Sequence, residues 1–449
     1  MARTAQPCFM SIAYVHSGAN IVCGVFNFMT SEERRAARRI RREEKRRKKK
    51  EAVNEKYGKL ENVFDYGNLL EAFDKSKKGV RWKCSVQRYE ASLLRKTYDT
   101  HMKLLKGEDI RRGFHRFTLM ERGKLREISS VHISERVVQR SLCDNALVPV
   151  LTRTCISDNM ACIKGKGTHA AIKRVAYFLR EYYRKTGSNE GYVVLVDFSN
   201  FFGNMKHWHI RKILEDHFTD KDMIEFIMLF VDAFGEVGCG LGSQVSQIIG
   251  TVYASKADHY AKEVLRIHEY IKYMDDTWLL FKTKEDAHRA IKALFEIYER
   301  MGITVNKKKT RIVALRRGFT FLKTKFTLSD TGKVIMRPCR KSITLERRKL
   351  KKLKKKLDEG TITFEEVRQQ YQSWKGYMKH KQSWRTVQNM NQLFNELFID
   401  SWKGKEEKKH EDQIQGQQQR IRRIRQENRT EYVACADRNK SKRSEHGRN

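Results

Sequence analysis

The chain has 449 residues, enough for two or three domains, and 40% of them are hydrophobic, so a sizeable core is within reach. Its 93 Lys and Arg against 54 Asp and Glu give a net charge of +39, which makes a polyanion the expected partner, nucleic acid before an anionic membrane surface. Apolar runs such as 223–231 are too short and interrupted to span a bilayer, and nine scattered cysteines without a C-x-x-C pair argue against a zinc module or a disulfide scaffold and for a reduced, cytoplasmic setting.

In chain order, residues 1–29 are fairly apolar, carry one early charge at Arg3, and lack a small-residue cleavage site after a compact apolar core, which speaks against a secretory signal. Thr30 and Glu33 fit a helix capping box directly after Met29, so folding, and natural translation with it, is expected to begin near Met29. From Arg34 to Lys50 a helix-compatible stretch is mostly Arg and Lys, with Ile40 its one large apolar residue. Such a run buries no face and is either solvated or laid on phosphates. Residues 57–110 mix aromatics with helix formers and complete a basic N-terminal helical region, 30–110.

Between 111 and 330 strands and helices alternate. The pattern predicts strands at Phe114–Met120 and after the turn Gly123-Lys124, a helix over Val137–Leu151, and a helix Ala170–Arg184 opened by the loop Gly165-Lys166-Gly167. That loop lacks the spacing of a phosphate-binding Walker loop. Gly191–Asp197 reads as a strand buried on both faces, followed by helices near 207–218 and 221–234. Ile271–Tyr273 and Thr277–Phe281 read as two short strands with Asp275 and Asp276 at the hairpin tip. A helix 284–301 starts at Thr283 and stops at Gly302, with strands near Thr304, Ile312 and Phe319–Lys323. After Pro338 a Lys/Arg-rich helix, 343–358, ends at Gly360. A second capping box, Thr363 to Glu366, opens the helix of Tyr371 and Trp374, and a further amphipathic segment runs to Trp402. The expected divisions are 1–29, 30–110, 111–330, 331–403 and a polar tail, 404–449.

An adjacent Asp pair alone fits a solvated turn. Asp197, at the end of a buried strand, changes that expectation if its strand neighbours the 271–281 hairpin. Three converged carboxylates demand cations, and two Mg²⁺ ions about 3.5–4 Å apart, with Mn²⁺ as the substitute, would suit nucleotidyl transfer.

In order and spacing, Asp197-Phe198-Ser199-Asn200-Phe201-Phe202, Gly242-x-x-x-Ser246-Gln247 and Tyr273-Met274-Asp275-Asp276 resemble motifs A, B and C of reverse transcriptases. The resemblance extends to Arg122–Ile128 and Glu135–Gln139 in the fingers, Asn306–Thr310 (motif D) and Gly318–Leu322 (motif E). It implies an α+β, right-hand polymerase with fingers, a ferredoxin-like palm and a helical thumb, using an RNA template, a DNA or RNA primer and dNTPs. It further implies that Asp197, Asp275 and Asp276 carry the metals, assisted by the Phe198 carbonyl, and that Phe202 is the gate that excludes a 2′-OH. Lys124 and Arg126 would hold the triphosphate, Leu241, Gly242 and Gln247 would face the nucleotide, and Lys309 would donate a proton to pyrophosphate. Phe319, Phe321 and Leu322 would form the primer grip.

Leu241 before Gly242 and the closing Ser246-Gln247 look like enzymes of diversity-generating retroelements and related bacterial members, group II-like and defence-associated. Loss of an amide at Leu241 is expected to relax base selection. Glu135, where Asp is more usual, and Lys323, where Gly is common, depart from the pattern. A structured RNA held along one cationic face, with an accessory protein and no membrane, completes the expectation. An RNA-binding maturase and a polymerase with little template guidance are the alternatives.

Overall fold

The computed structural model describes residues 30–121 and 124–399, which fall into two compact units, 30–53 and 54–399. The expectations for residues 1–29, Arg122, Gly123 and the tail 404–449 lie outside the described residues. So does the side chain of Lys124.

The first unit lies in the helix Ser31–Tyr57. Its start is the predicted capping box: Glu33 N–H donates to Thr30 Oγ1 at 3.2 Å, and Thr30 N–H to Glu33 Oε2 at 2.7 Å. The run of Arg and Lys is solvent-exposed along nearly its whole length.

In the second unit, four short helices between Leu60 and Leu105 precede a two-stranded hairpin, β1 (Phe114–Glu121) and β2 (Lys124–Val131). The central sheet holds β3 (Tyr192–Val196), β4 (Tyr270–Tyr273), β5 (Asp276–Phe281) and β6 (Arg311–Ala314), all antiparallel, in the spatial order β4-β5-β3-β6. Helices between Lys206 and His259 connect β3 to β4, a tight hairpin joins β4 to β5, and the helix Lys284–Arg300 leads to β6. That βαββαβ order is the ferredoxin-like palm, and the expected α+β right-hand class stands. A third sheet contains β7 (Phe319–Phe321), β8 (Thr324–Leu328) and β9 (Val334–Pro338).

One core joins the helix Thr168–Thr186 to the central sheet and β7–β9, with Val193, Ile271, Trp278, Phe319 and Phe326 inside it. Beyond Cys339 a separate core binds the helix Arg340–Asp358 to Phe364–Met378 and to the helix 384–399. Leu350 and Leu353 are the buried stripe of the Lys-rich helix, so its cations stay on the other face.

Three details differ from the sequence pattern. The helix expected from Val137 begins at Ile133 and passes through a π turn, Cys143–Leu147. The strand expected near Thr304 is a single bridge, Val305 opposite Phe198. The strand pair β8–β9 carries the sheet past residue 330, so the break before the helical region falls at Cys339. In Thr324–Leu328 the alternation is readable after the fact, with Thr324, Phe326 and Leu328 inward and Lys325 outward.

Candidate active site

Strand β3 is apolar because it is covered on both faces, with Val193 and Val194 fully buried. Its chain leaves the sheet at Asp197. The β3–β5 register pairs Val196 with Thr277, so Asp197 follows at the level of Asp276. Tyr273 pairs with Asp276 across β4 and β5, leaving Met274 and Asp275 as a two-residue turn. Met274 has φ +52°, an unfavourable region for a side chain of this kind, and its sulfur accepts from Thr251 Oγ1 at 3.7 Å. Sheet register and turn therefore bring Asp197, Asp275 and Asp276 to one edge of the palm.

Burial, with Asp275 and Asp197 alongside, pushes the Asp276 carboxyl up to about 7. Two lysines oppose that rise. Lys309 Nζ stands 3.2 Å from Asp197 Oδ2 in a partly solvated pair. The motif D turn sets it there: Asn306 N–H donates to the Asp197 carbonyl at 2.8 Å, and Lys309 N–H returns to the Asn306 carbonyl at 3.1 Å. Of three consecutive lysines, Lys309 is thus the one that reaches Asp197. The second, Lys272, was not anticipated. It is fully buried on β4, donates to Thr277 Oγ1 at 3.0 Å, and lies 4.1 Å from the Phe198 ring centroid. Burial lowers its pKa against the pull of Asp258, Asp275 and Asp276. A lone Lys in an apolar strand was the available signal.

Two openings share Asp197 and Lys309. The larger, about 670 Å³, is also lined by Arg126, Phe198, Phe202, Leu241 and Asp275. The smaller, about 330 Å³, adds Asp276, Thr320, Phe321 and Leu322. Phe202 is half-buried against the helix Gln244–Val252. A Cβ at Gly250 would stand 2.9 Å from its ring, so glycine lets the ring lie flat there. Gly242 is exposed beside Ser129 of β2 and Gln247 faces solvent in the first turn of its helix; neither is among the residues that line the larger opening.

The expected primer grip is divided. Phe319 and Phe321, two residues apart on β7, point to the same face and are both buried in the core, Phe319 lying 5.3 Å from Phe326 and 6.0 Å from Trp278 between ring centroids. Phe321 and Leu322 remain on the wall of the smaller opening. Tyr377, which the sequence did not single out, donates to the Leu322 carbonyl at 3.1 Å and ties the helical region to that turn.

Among the described residues no three His, Cys, Asp or Glu side chains are disposed to hold one ion, and Asp197 is turned to Lys309 instead. A carboxylate close to a free ammonium takes it as counter-charge. The donor set fits a hard divalent cation: oxygen ligands only, and an Asp276 carboxyl raised by burial and by Asp275 and Asp197 beside it.

Residues 109–326 match the family described as Reverse transcriptase (RNA-dependent DNA polymerase). This chain carries a reverse transcriptase domain. The four-stranded palm, the fingers hairpin and the Asp turn all lie within the matched span. No curated protein sequence matches the chain. Similar solved structures include telomerase from Candida albicans in complex with a TWJ fragment of telomeric RNA, at 12% identity over 51% of this chain and 46% of that one, TM-score 0.40. Apo telomerase from Candida tropicalis is similar at 13% identity in two forms. The form truncated from its C-terminal domain covers 50% of this chain and 55% of its own, TM-score 0.39, and the other 55% and 53%, TM-score 0.38. The chain spans about half the length of these structures.

Proposed function

We propose that the protein is an RNA-directed DNA polymerase that extends a DNA or RNA primer with deoxynucleotides. The observation that carries this reading is the register that sets Asp197 level with Asp276, beside Asp275, at the meeting of two openings. The domain match supports it.

Asp197, Asp275 and Asp276 would hold two Mg²⁺, or Mn²⁺, with the Phe198 carbonyl. Bound there, the ions would supply charge neutralisation at the attacking and leaving oxygens. The remaining roles belong to the protein. Arg126, with Lys124, holds the triphosphate, since a guanidinium fork suits phosphate oxygens. Phe202 closes the cleft against a 2′-OH. Lys309, already beside Asp197, is placed to give a proton to the departing pyrophosphate. Phe321 and Leu322 support the primer end from the smaller opening.

The template is a structured RNA, with a bacterial retroelement or antiviral defence system as the setting, the cytoplasm as the compartment and an accessory protein as a further partner. The net charge of +39 supports the RNA, and binding should weaken by about 0.7–0.9 log units per phosphate contact for each tenfold rise in salt. A second reading, a polymerase with little template guidance, is favoured by Leu241, an apolar residue on the cleft wall. A maturase role alone leaves the three carboxylates without a task.

Primer extension on a defined RNA template tests the proposal. Wild-type protein should add dNTPs, and the pair Asp275→Ala, Asp276→Ala should add none while still binding RNA. Extension that survives the double substitution would contradict the assignment.

A further inference from the structure

Residues 238–241 form one wall of the larger opening, and the loop they make with Gly242 is held on both sides. Cys239 N–H donates to the Phe202 carbonyl at 2.7 Å, and Ser129 N–H of β2 donates to the Leu241 carbonyl at 2.9 Å. Gly242 has φ +120°, and a Cβ there would stand 2.5 Å from the Ser129 carbonyl oxygen, so this approach to β2 requires glycine. The loop ends at Ser243, whose Oγ caps the helix Gln244–Val252 by accepting from Ser246 N–H at 3.4 Å.

The proton of that hydroxyl goes to the fingers. Ser243 Oγ donates to Gln139 Oε1 at 3.0 Å. Gln139 Nε2 donates to Glu135 Oε1 at 3.0 Å, one turn earlier on the helix Ile133–Leu142. Glu135 Oε2 accepts from Arg112 N–H at 3.3 Å, just before β1. Glu135, Gln139 and Ser243 are each at least 97% buried, and none lines the cleft. Burial raises the Glu135 carboxyl.

Packing alone does not call for this arrangement, because an apolar trio of similar volume would fill the space without desolvating a carboxylate. A fully partnered buried relay instead imposes one orientation on the groups it joins. Its length matters too. Asp at 135, the more usual residue in the motif, would be shorter by one carbon–carbon bond, about 1.5 Å, and would draw back from Gln139.

We infer that Glu135, Gln139 and Ser243 are positioning residues that lock the Leu241–Gly242 turn between Phe202 and β2, and so set how closely the cleft fits the sugar of the incoming nucleotide. This rests on the polymerase reading above. The fingers and the sugar gate are thereby parts of one hydrogen-bonded frame.

Steady-state extension with dNTPs and rNTPs tests the inference. Gln139→Leu removes both inner links at similar volume. It should raise KM for dNTP about tenfold with kcat within twofold, and lower the preference for dNTP over rNTP about tenfold. The single change Gln139→Glu faces two carboxylates and should show the same defect. The pair Glu135→Gln, Gln139→Glu moves the carboxylate one place along while keeping every hydrogen bond, and should restore KM and sugar preference to within twofold of wild type. Gln139→Leu with unchanged KM and preference would overturn the inference. So would a swapped pair as impaired as Gln139→Glu, which also decides the matter should Gln139→Leu fail to fold. Wild-type protein that extends no primer would instead overturn the polymerase reading, and this inference with it.

Discussion

Two walls of the same cleft are built on opposite electrostatic terms. At the Asp turn, three carboxylates meet two lysines, and Asp276 is left with a carboxyl raised to about 7. Across the opening, the motif B frame satisfies each buried polar group of the Glu135–Gln139–Ser243 relay. Uncompensated charge is retained where the proposed cations and phosphates would dock, and full partnering is retained behind the opposite wall. The contrast also separates two costs. Unbalanced charge lowers stability for the sake of chemistry, whereas a satisfied network costs little and fixes a single geometry.

The largest expected effect breaks the charged wall. Asp276→Asn should lower extension by several kcal/mol of transition-state stabilisation, roughly a thousandfold. The same change should stabilise the metal-free protein by about 1 kcal/mol, because it removes a like charge from a partly solvated cluster. Chemical denaturation in chelator reads the second effect, and a destabilised variant would contradict the view of that turn as electrostatically strained. Next, Lys309→Ala should lower kcat about a hundredfold with little change in KM, as loss of a proton donor would. A change in KM alone would make Lys309 a phosphate anchor. Smaller still, Leu241→Gln restores a polar group to the frame's edge and should reduce misincorporation on a fixed RNA template roughly tenfold. Unchanged fidelity would remove Leu241 from base selection.

An effect on stability alone sharpens the contrast away from the cleft. Among the described residues the Lys381 ammonium is buried without a hydrogen-bond partner, 3.6 Å from the Tyr377 ring centroid, and burial lowers its pKa to about 8. Its folded pKa is below the unfolded value, so the folded state holds fewer protons between about 8 and 10.5, and stability should rise with pH through that window. Lys381→Met should therefore stabilise the protein by about 1–3 kcal/mol at pH 7, with the gain fading above pH 10. Urea melts at the two pH values measure it.

Much of this contrast was legible in the residues. A near-continuous apolar strand ending in Asp197, and a hairpin tip at Asp275–Asp276, announced the charged wall, because burial on both faces and turn chemistry leave local marks. Capping boxes at Thr30 and Thr363 formed as their spacing dictates. The frame was not legible. Gln139 and Ser243 are separated by about a hundred residues, and a hydrogen bond across that distance has no periodic signature. Lys272 was passed over for a similar reason: one polar residue in an apolar strand shows neither its burial nor its partner. Phe319 and Phe321 shared one motif and both enter the core, and only the packing of β7 shows that Phe321 also borders the smaller opening. The direction of Asp197 depends on Lys309, a tertiary pairing that spacing does not reveal.

Sequencing the DNA made from a labelled primer, with and without a supplied RNA, tests the central claim most directly. Products complementary to the RNA are expected, made only when it is present and lost in the Asp275→Ala, Asp276→Ala variant. Products of the same sequence without the RNA, or products that persist in that variant, would contradict it.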